Sequence, residues 1–78
     1  MDTQMEIQNI DQLEFAIFCI ENIAARLGID AKQVYQALED SDILISYIVP
    51  GYDVLHTQGK DYIVDDILSV METRGVKP

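Results

Sequence analysis

The sequence predicts an all-α fold, a compact bundle of four helical segments, and three observations point to it. Apolar residues recur at spacings of three and four along most of the chain, which is the period of an amphipathic helix. Glycine or proline interrupts the apolar runs, at Gly28 and again at Pro50-Gly51. The chain has 78 residues, which is enough for one domain. We expect a polar N-terminal lead-in at 1–10 and a single helical domain at 11–76.

The first helix is predicted at 11–27 and is the most apolar part of the chain. Its inner stripe is predicted to contain Leu13, Ala16, Ile17, Ile20, Ile23, Ala24 and Leu27. Phe15, Phe18 and Cys19 widen this stripe beyond half of the circumference, which is more than one small core needs. Because large exposed apolar patches mark interfaces, we expect a homodimer with Phe15 or Phe18 at or near the contact.

The second helix is predicted to begin after Asp30, whose side chain can cap it. With the first helix it forms a helix-turn-helix-like pair over 27–38. A DNA-recognition helix needs Arg or Lys side chains directed at phosphates and bases. The segment that follows, 40–49, contains Asp40 and Asp42 and no base. The pair therefore suits protein contact, and a transcription-associated helix-turn-helix protein is the alternative.

The second half of the chain contains two further segments. Residues 43–49 follow helical spacing but are rich in β-branched side chains, so a strand is the alternative there. Residues 52–59 are the least regular stretch, with Asp53 able to cap a short turn. A last helix is predicted at 60–73 and ends before Gly75. Its inner stripe contains Ile63, Ile67, Val70 and Met71, widened by Val64 and Leu68.

The charge of the chain excludes several classes of partner. Fourteen acidic residues against five basic ones give a net charge of −9. A field of this sign repels phosphate backbones and anionic lipid, so we expect the isolated protein to bind neither nucleic acid nor a membrane surface. A basic protein partner would be attracted. The N-terminal segment lacks the basic and apolar regions of a signal peptide, and a single cysteine fits a reducing compartment. We therefore expect a cytoplasmic protein.

The sequence offers little that could carry catalysis or hold a cofactor or metal. His56 is its only histidine, and no pair of His or Cys residues has zinc-ligand spacing. Cys19 lies on an apolar helix, where burial raises the thiol pKa and makes the group inert. An enzyme that uses Asp53 and His56 is the weakest hypothesis, because an activated nucleophile is missing. We expect His56 to be a structural histidine in a turn, with partner contact as the alternative.

Aromatic residues are the better candidates for a binding role. Tyr47 and Tyr52 bracket Pro50-Gly51, so at least one of them is expected to project from the loop. Tyrosine rings combine a large apolar surface with a polar group and are enriched in interface hot spots. The candidate partner-contact residues are Phe15, Phe18, Tyr47, Tyr52 and His56.

Four stretches of the chain are distinctive: residues 14–24, 34–38 and 47–50, and the block Val-Leu-His-Thr-Gln-Gly at 54–59, the most specific of them. In these stretches the chain resembles a family of short, uncharacterised bacterial proteins of the domain-of-unknown-function kind. The resemblance covers about residues 14–76. It implies a small helical bacterial protein encoded near toxin–antitoxin-like genes, including predicted ADP-ribosyltransferase-like toxins. It supplies no catalytic residue.

These observations together predict a non-catalytic protein-interaction module. The expected role is that of an antitoxin-like or regulatory partner of a neighbouring gene product. The absence of a catalytic set, the excess of apolar side chains on the first helix and the net charge of −9 all point this way.

Overall fold

A computed structural model describes residues 10–78 and shows an all-α fold. In chain order its elements are α1 (Ile10–Leu27), α2 (Ala31–Asp40), a π-helix (Leu44–Ile48), α3 (Tyr52–Leu55) and α4 (Lys60–Thr73). No strand occurs within this range, so the strand alternative for 43–49 is wrong. Apart from Ile10, the predicted lead-in at 1–10 lies outside the described residues.

The turn between α1 and α2 forms as its sequence predicts. Gly28 adopts a φ of +69°, a left-handed conformation that a residue without a Cβ takes at little cost. The backbone N–H of Ile29 donates to the carbonyl of Ala24 at 3.1 Å and closes α1. One carboxylate oxygen of Asp30 then accepts from the backbone N–H of Lys32 at 3.0 Å and caps α2. The chain thereby reverses, and α2 packs against α1.

The predicted third helix is a π-helix. The N–H of Val49 donates to the carbonyl of Leu44 at 3.0 Å, five residues back, and the following Pro50 has no N–H to donate. The next residue is Gly51, because a residue with a side chain does not fit at this position. A Cβ at this position would lie 2.6 Å from the carbonyl oxygen of Tyr47. Because Gly51 allows this close approach of the backbone, α3 can begin immediately after the π-helix.

The core lies where α1, α2, the π-helix and α4 meet, with Leu55 closing it from α3. Its largest fully buried side chains are Ile23, Val34, Leu38, Ile43, Ile48, Val64 and Ile67. On α4 the predicted inner positions Ile63, Ile67 and Met71 are buried, whereas Val70 is half-buried. On α2 Val34 and Leu38 are buried, whereas Tyr35 is 42% exposed.

The inner stripe predicted for α1 is partly wrong: its Ala16, Ile23 and Ala24 are buried, but the side that faces the core is rotated about the helix axis. Phe15, Cys19 and Ile23 are buried at spacings of four, whereas Leu13 and Ile17 are 39% and 46% exposed. A helix that is apolar over more than half of its circumference offers two stripes, and spacing alone does not choose between them. The stripe that contains the Phe15 ring faces the core, so Phe15 and Cys19 belong to the core of the monomer and are not left over for an interface.

Leu27, the last member of the predicted stripe, is 41% exposed as well. Among residues 10–78, no helix has both the length and the apolar character that crossing a membrane requires.

Two matched truncations on α1 test this rotation. We expect Ile23→Ala to lower the free energy of unfolding by about 2–4 kcal/mol, because it leaves a cavity in the core. Ile17→Ala removes the same atoms from an exposed position and should change it by less than about 0.5 kcal/mol. Urea denaturation followed by circular dichroism measures both. Equal losses, or a larger loss for Ile17→Ala, would contradict the rotation.

Candidate functional site

An open groove of about 300 Å³ runs beside the N-terminal half of α1. One of its walls is the segment 52–58, which packs against this half of the helix. The groove is lined by Asp11, Glu14, Phe15, Phe18, Tyr52, His56, Gln58 and Ile63. Four of the five candidate contact residues therefore share one surface, which we call the aromatic groove.

Four aromatic side chains in the groove form a continuous ladder. The rings of Phe18 and Phe15 lie 6.3 Å apart between centroids and are nearly parallel, at 20°. Tyr52 meets Phe15 edge to face, at 5.6 Å and 73°. The imidazole of His56 stacks on Tyr52 at 4.3 Å and 10°. Each ring is oriented by its neighbour, so the groove is held in shape before anything enters it.

Local helix geometry explains why these rings meet. Phe15 and Phe18 are three residues apart on α1, and Tyr52 and His56 are four apart around α3, so each pair shares a helix face. The backbone N–H of His56 donates to the carbonyl of Tyr52 at 3.0 Å. The hydroxyl of Thr57 donates to the carbonyl of Val54 at 2.9 Å and closes the turn. The block at 54–59 therefore builds one wall of the groove.

The rings differ in how much solvent they meet. Phe15 is buried and forms the floor, whereas Phe18 is 37% exposed at the edge. His56 is exposed, and both roles expected for it, a structural histidine in the turn and a partner contact, stay predictions. Its ring lies flat on Tyr52 and presents its other face outward. Phe18, Tyr52 and His56 are thus the rings that a partner would reach.

Tyr47 does not join the aromatic groove. Its hydroxyl donates a hydrogen bond of 2.5 Å to a carboxylate oxygen of Asp66 on α4. This bond, together with partial burial, raises the pKa of Tyr47 to about 12. The contact ties the π-helix to α4, so the ring that projects from the Pro50-Gly51 loop into the groove is Tyr52.

Cys19 lies in the core and is fully buried, as predicted. Burial raises the pKa of its thiol to about 12, so the nucleophilic thiolate is not formed at neutral pH. Within residues 10–78, no group of three or more His, Cys, Asp or Glu side chains is placed to hold a metal ion.

The rim of the aromatic groove is acidic. Asp11 and Glu14 line one side, and no lysine or arginine is among the described residues that line the groove. Arg26, the one base of α1, is engaged elsewhere. Its guanidinium donates to Asp65 at 2.6 Å and lies 3.5 Å from Asp61, both on α4. The groove therefore combines exposed π faces with negative charge, an arrangement that suits a cation.

Sequence reasoning found the rings but missed the rest of the lining. Asp11 precedes Phe15 by four residues and Glu14 precedes Phe18 by four, a spacing that places each pair on one side of α1. The sequence therefore did contain a signal that Asp11 and Glu14 lie beside the rings. The approach of Gln58 and Ile63 depends on how the 52–58 segment folds back, and no local pattern shows it.

Comparison with protein families gives one match. The model of a family described as a protein of unknown function, DUF3791, matches residues 14–74. The chain belongs to this family. The match includes Glu14, all four rings of the aromatic groove, Gln58 and Ile63, so nearly the whole groove lies within the DUF3791 domain. Comparison with curated proteins and with solved structures gave no match.

The Tyr47–Asp66 contact predicts a dependence of stability on pH. A raised pKa means that the folded chain holds the phenol proton more tightly than the unfolded chain, in which tyrosine titrates near its ordinary value of about 10. The stabilisation is therefore complete below about pH 10 and is lost as the pH rises through about 12.

We expect Tyr47→Phe to lower the free energy of unfolding by about 1 kcal/mol at pH 7, because it removes the bond to Asp66. The difference from the unsubstituted chain should shrink between about pH 10 and pH 12, as the native Tyr47 loses its proton. Denaturant titrations across this range measure it, with Tyr52→Phe in the aromatic groove as the control. A difference that stays constant or grows with pH would contradict the assignment.

Proposed function

We propose that this protein is a non-catalytic protein-interaction module whose aromatic groove receives a basic side chain of a partner protein. The observation that carries the proposal is the combination of accessible rings with an acidic rim. Phe18 and His56 are exposed and Tyr52 is half-buried, and Asp11 and Glu14 line the same groove. Arginine is the side chain that fits best.

A guanidinium group matches both features of the groove. Its flat, delocalised cation stacks on aromatic faces, and its N–H groups donate to carboxylates. Such a contact contributes about 0.5–2 kcal/mol, depending on how far water is excluded. The groove volume of about 300 Å³ lies at the lower limit of small-molecule sites, which is room for a single inserted side chain.

The net charge supports the same kind of partner. A chain of net charge −9 attracts a basic protein and speeds their encounter. The resemblance to proteins encoded beside toxin–antitoxin-like genes supports a regulatory or antitoxin-like role toward the product of a neighbouring gene. We place this pair in the bacterial cytoplasm, where one reduced cysteine is expected. The homodimer stays a prediction, and its contact would involve Phe18 and not the buried Phe15.

The helix-turn-helix alternative has weaker support. The turn at Gly28 gives α1 and α2 the expected connection. However, Lys32 is the one base on α2, and no lysine or arginine follows it until Lys60. Phosphate contacts provide most of the affinity of a DNA-binding domain, and this pair offers almost none.

A matched pair of truncations tests the proposed function. The partner is first identified by affinity capture from the native host with mass spectrometry, then purified and bound to this protein in a titration. We expect Phe18→Ala to weaken binding at least 10-fold, because it removes an edge of the aromatic groove. Tyr35→Ala removes an exposed ring from α2 and should leave the affinity unchanged.

Equal affinities for the Phe18→Ala and unsubstituted proteins would place the partner elsewhere and reject the aromatic groove as its site. Thermal unfolding of each variant shows whether the fold is intact, so that loss of binding is not confused with loss of structure.

A further inference from the structure

A second apolar surface lies on α1, on the other side of Glu14 from the aromatic groove. Its members recur at alternating spacings of three and four, which is the a and d pattern of a heptad repeat. We call this surface the heptad row: Ile10, Leu13, Ile17, Ile20, Ala24 and Leu27. Ile10, Leu13 and Ile17 are 62%, 39% and 46% exposed. The row is thus open at its N-terminal end.

The lengths of the helices explain which part of the row is covered. α1 has 18 residues and is about 27 Å long, whereas α2 has 10 residues and reaches about 15 Å. Starting from the turn at Gly28, α2 covers little more than half of α1. Ala24 is accordingly buried and Ile20 half-buried, whereas Leu27, next to the turn, is 41% exposed. Ile10, Leu13 and Ile17 lie beyond the end of α2 and keep much of their surface exposed.

Acidic side chains follow the open part of the row. Glu14 lies four residues after Ile10, and Glu21 lies four residues after Ile17, the e positions of the heptad. Both carboxylates are exposed, and the one base of α1 is engaged with α4 at the far end of the helix. A helix that packs on this row therefore meets aliphatic side chains in the centre and negative charge along one edge.

A second copy of this chain does not supply the missing positive charge. In a parallel pairing the e positions face the partner's g positions, which here are Ala16 and Ile23, both buried in their own core. In an antiparallel pairing Glu14 and Glu21 would face the same two residues of the other copy and repel them. Either arrangement also doubles a net charge of −9. The row suits a chain of opposite charge.

We propose that the heptad row binds an amphipathic helix of the partner protein, with aliphatic residues at heptad spacing and Lys or Arg along the flank that faces Glu14 and Glu21. This inference rests on the proposed function in taking the chain as an interaction module, and it adds a second contact surface. Glu14 belongs to both surfaces, since it also lines the aromatic groove. One basic partner can therefore occupy the row and the groove together.

Two synthetic peptides of three heptads test the proposal directly. Both carry Leu at the a and d positions, one with Lys and the other with Glu on the flanks. Each is labelled with fluorescein and titrated with the full chain, and binding is read as fluorescence anisotropy. We expect the Lys peptide to bind at least 10-fold more tightly than the Glu peptide, and this preference to weaken as salt is added.

Substitutions on α1 locate the binding surface. Ile17→Asp should reduce binding of the Lys peptide at least 10-fold, whereas Ser69→Asp, which adds the same charge at an exposed position of α4, should not. The double variant Glu14→Lys and Glu21→Lys changes exposed side chains only, so it is expected to fold. It should reverse the preference, so that the Glu peptide binds more tightly.

Four outcomes would overturn the proposal. The first is equal binding of the two peptides, and the second is no reversal in the double variant. The third is a dimer of the full chain, seen by light scattering, that Ile17→Asp converts to a monomer. That result would mean that a second copy of the chain occupies the row. The fourth is tenfold tighter binding of the Lys peptide by the double variant Met5→Asp and Ile7→Asp. That result would mean that the chain's own N-terminal segment covers the heptad row.

The two proposals fail in different ways. If the peptide ignores Ile17→Asp but the identified partner is lost on Phe18→Ala, the heptad row is rejected and the aromatic groove stands. If Phe18→Ala leaves partner binding unchanged while Ile17→Asp abolishes peptide binding, the groove is rejected and the row stands.

Discussion

Burial of Phe15, Cys19 and Ile23 against the other helices fixes the rotation of α1 about its own axis. Full burial of a large apolar side chain contributes about 1.5–3 kcal/mol, and in a domain of 78 residues few other contributions are as large. Once this face is inside, Phe18 stands at the edge of the aromatic groove and Ile17 stands outside. Both surfaces proposed for binding follow from that one choice.

The second determinant is the short path from the π-helix to α4. Pro50 ends the π-helix, and Gly51 lets the chain pass the carbonyl of Tyr47 at a distance that no other residue allows. The bond from Tyr47 to Asp66 holds the π-helix to α4. Tyr52 and His56 thereby lie beside the N-terminal half of α1, which α2 is too short to cover. Both proposed surfaces therefore lie on the part of α1 that α2 does not reach.

Much of this architecture could be predicted from local signals. The glycine at 28, the cap at Asp30 and the helix at 60–73 depend on residues close in sequence, and the structure confirms them. The rotation of α1 could not be predicted, because a helix apolar on most sides has two stripes of nearly equal spacing. The π-helix depends on the position of Pro50 just after the end of the segment. The aromatic groove depends on the contact between Phe15 and Tyr52, which lie nearly forty positions apart in the sequence.

The candidate site was predicted in its residues but not in its arrangement. Phe18, Tyr52 and His56 are accessible at one site, Phe15 lies beneath them, and Tyr47 serves the fold instead. Aromatic type alone did not separate these roles, because a tyrosine that donates to a half-buried carboxylate and one that lines a groove look alike in sequence. The acidic rim is the basis of the preference for a cation that we propose, and its signal in the sequence was the spacing of Asp11 and Glu14 from the phenylalanines.

The rotation of α1 is tested most directly by methyl NMR of the full chain with a soluble paramagnetic chelate, which broadens signals according to their exposure to solvent. The isoleucines of α1 report on both faces of one helix in a single spectrum. The structure predicts strong broadening of the Ile10 and Ile17 methyl signals and protection of those of Ile23. Protection of Ile17 together with Ile23, or broadening of Ile23, would contradict it.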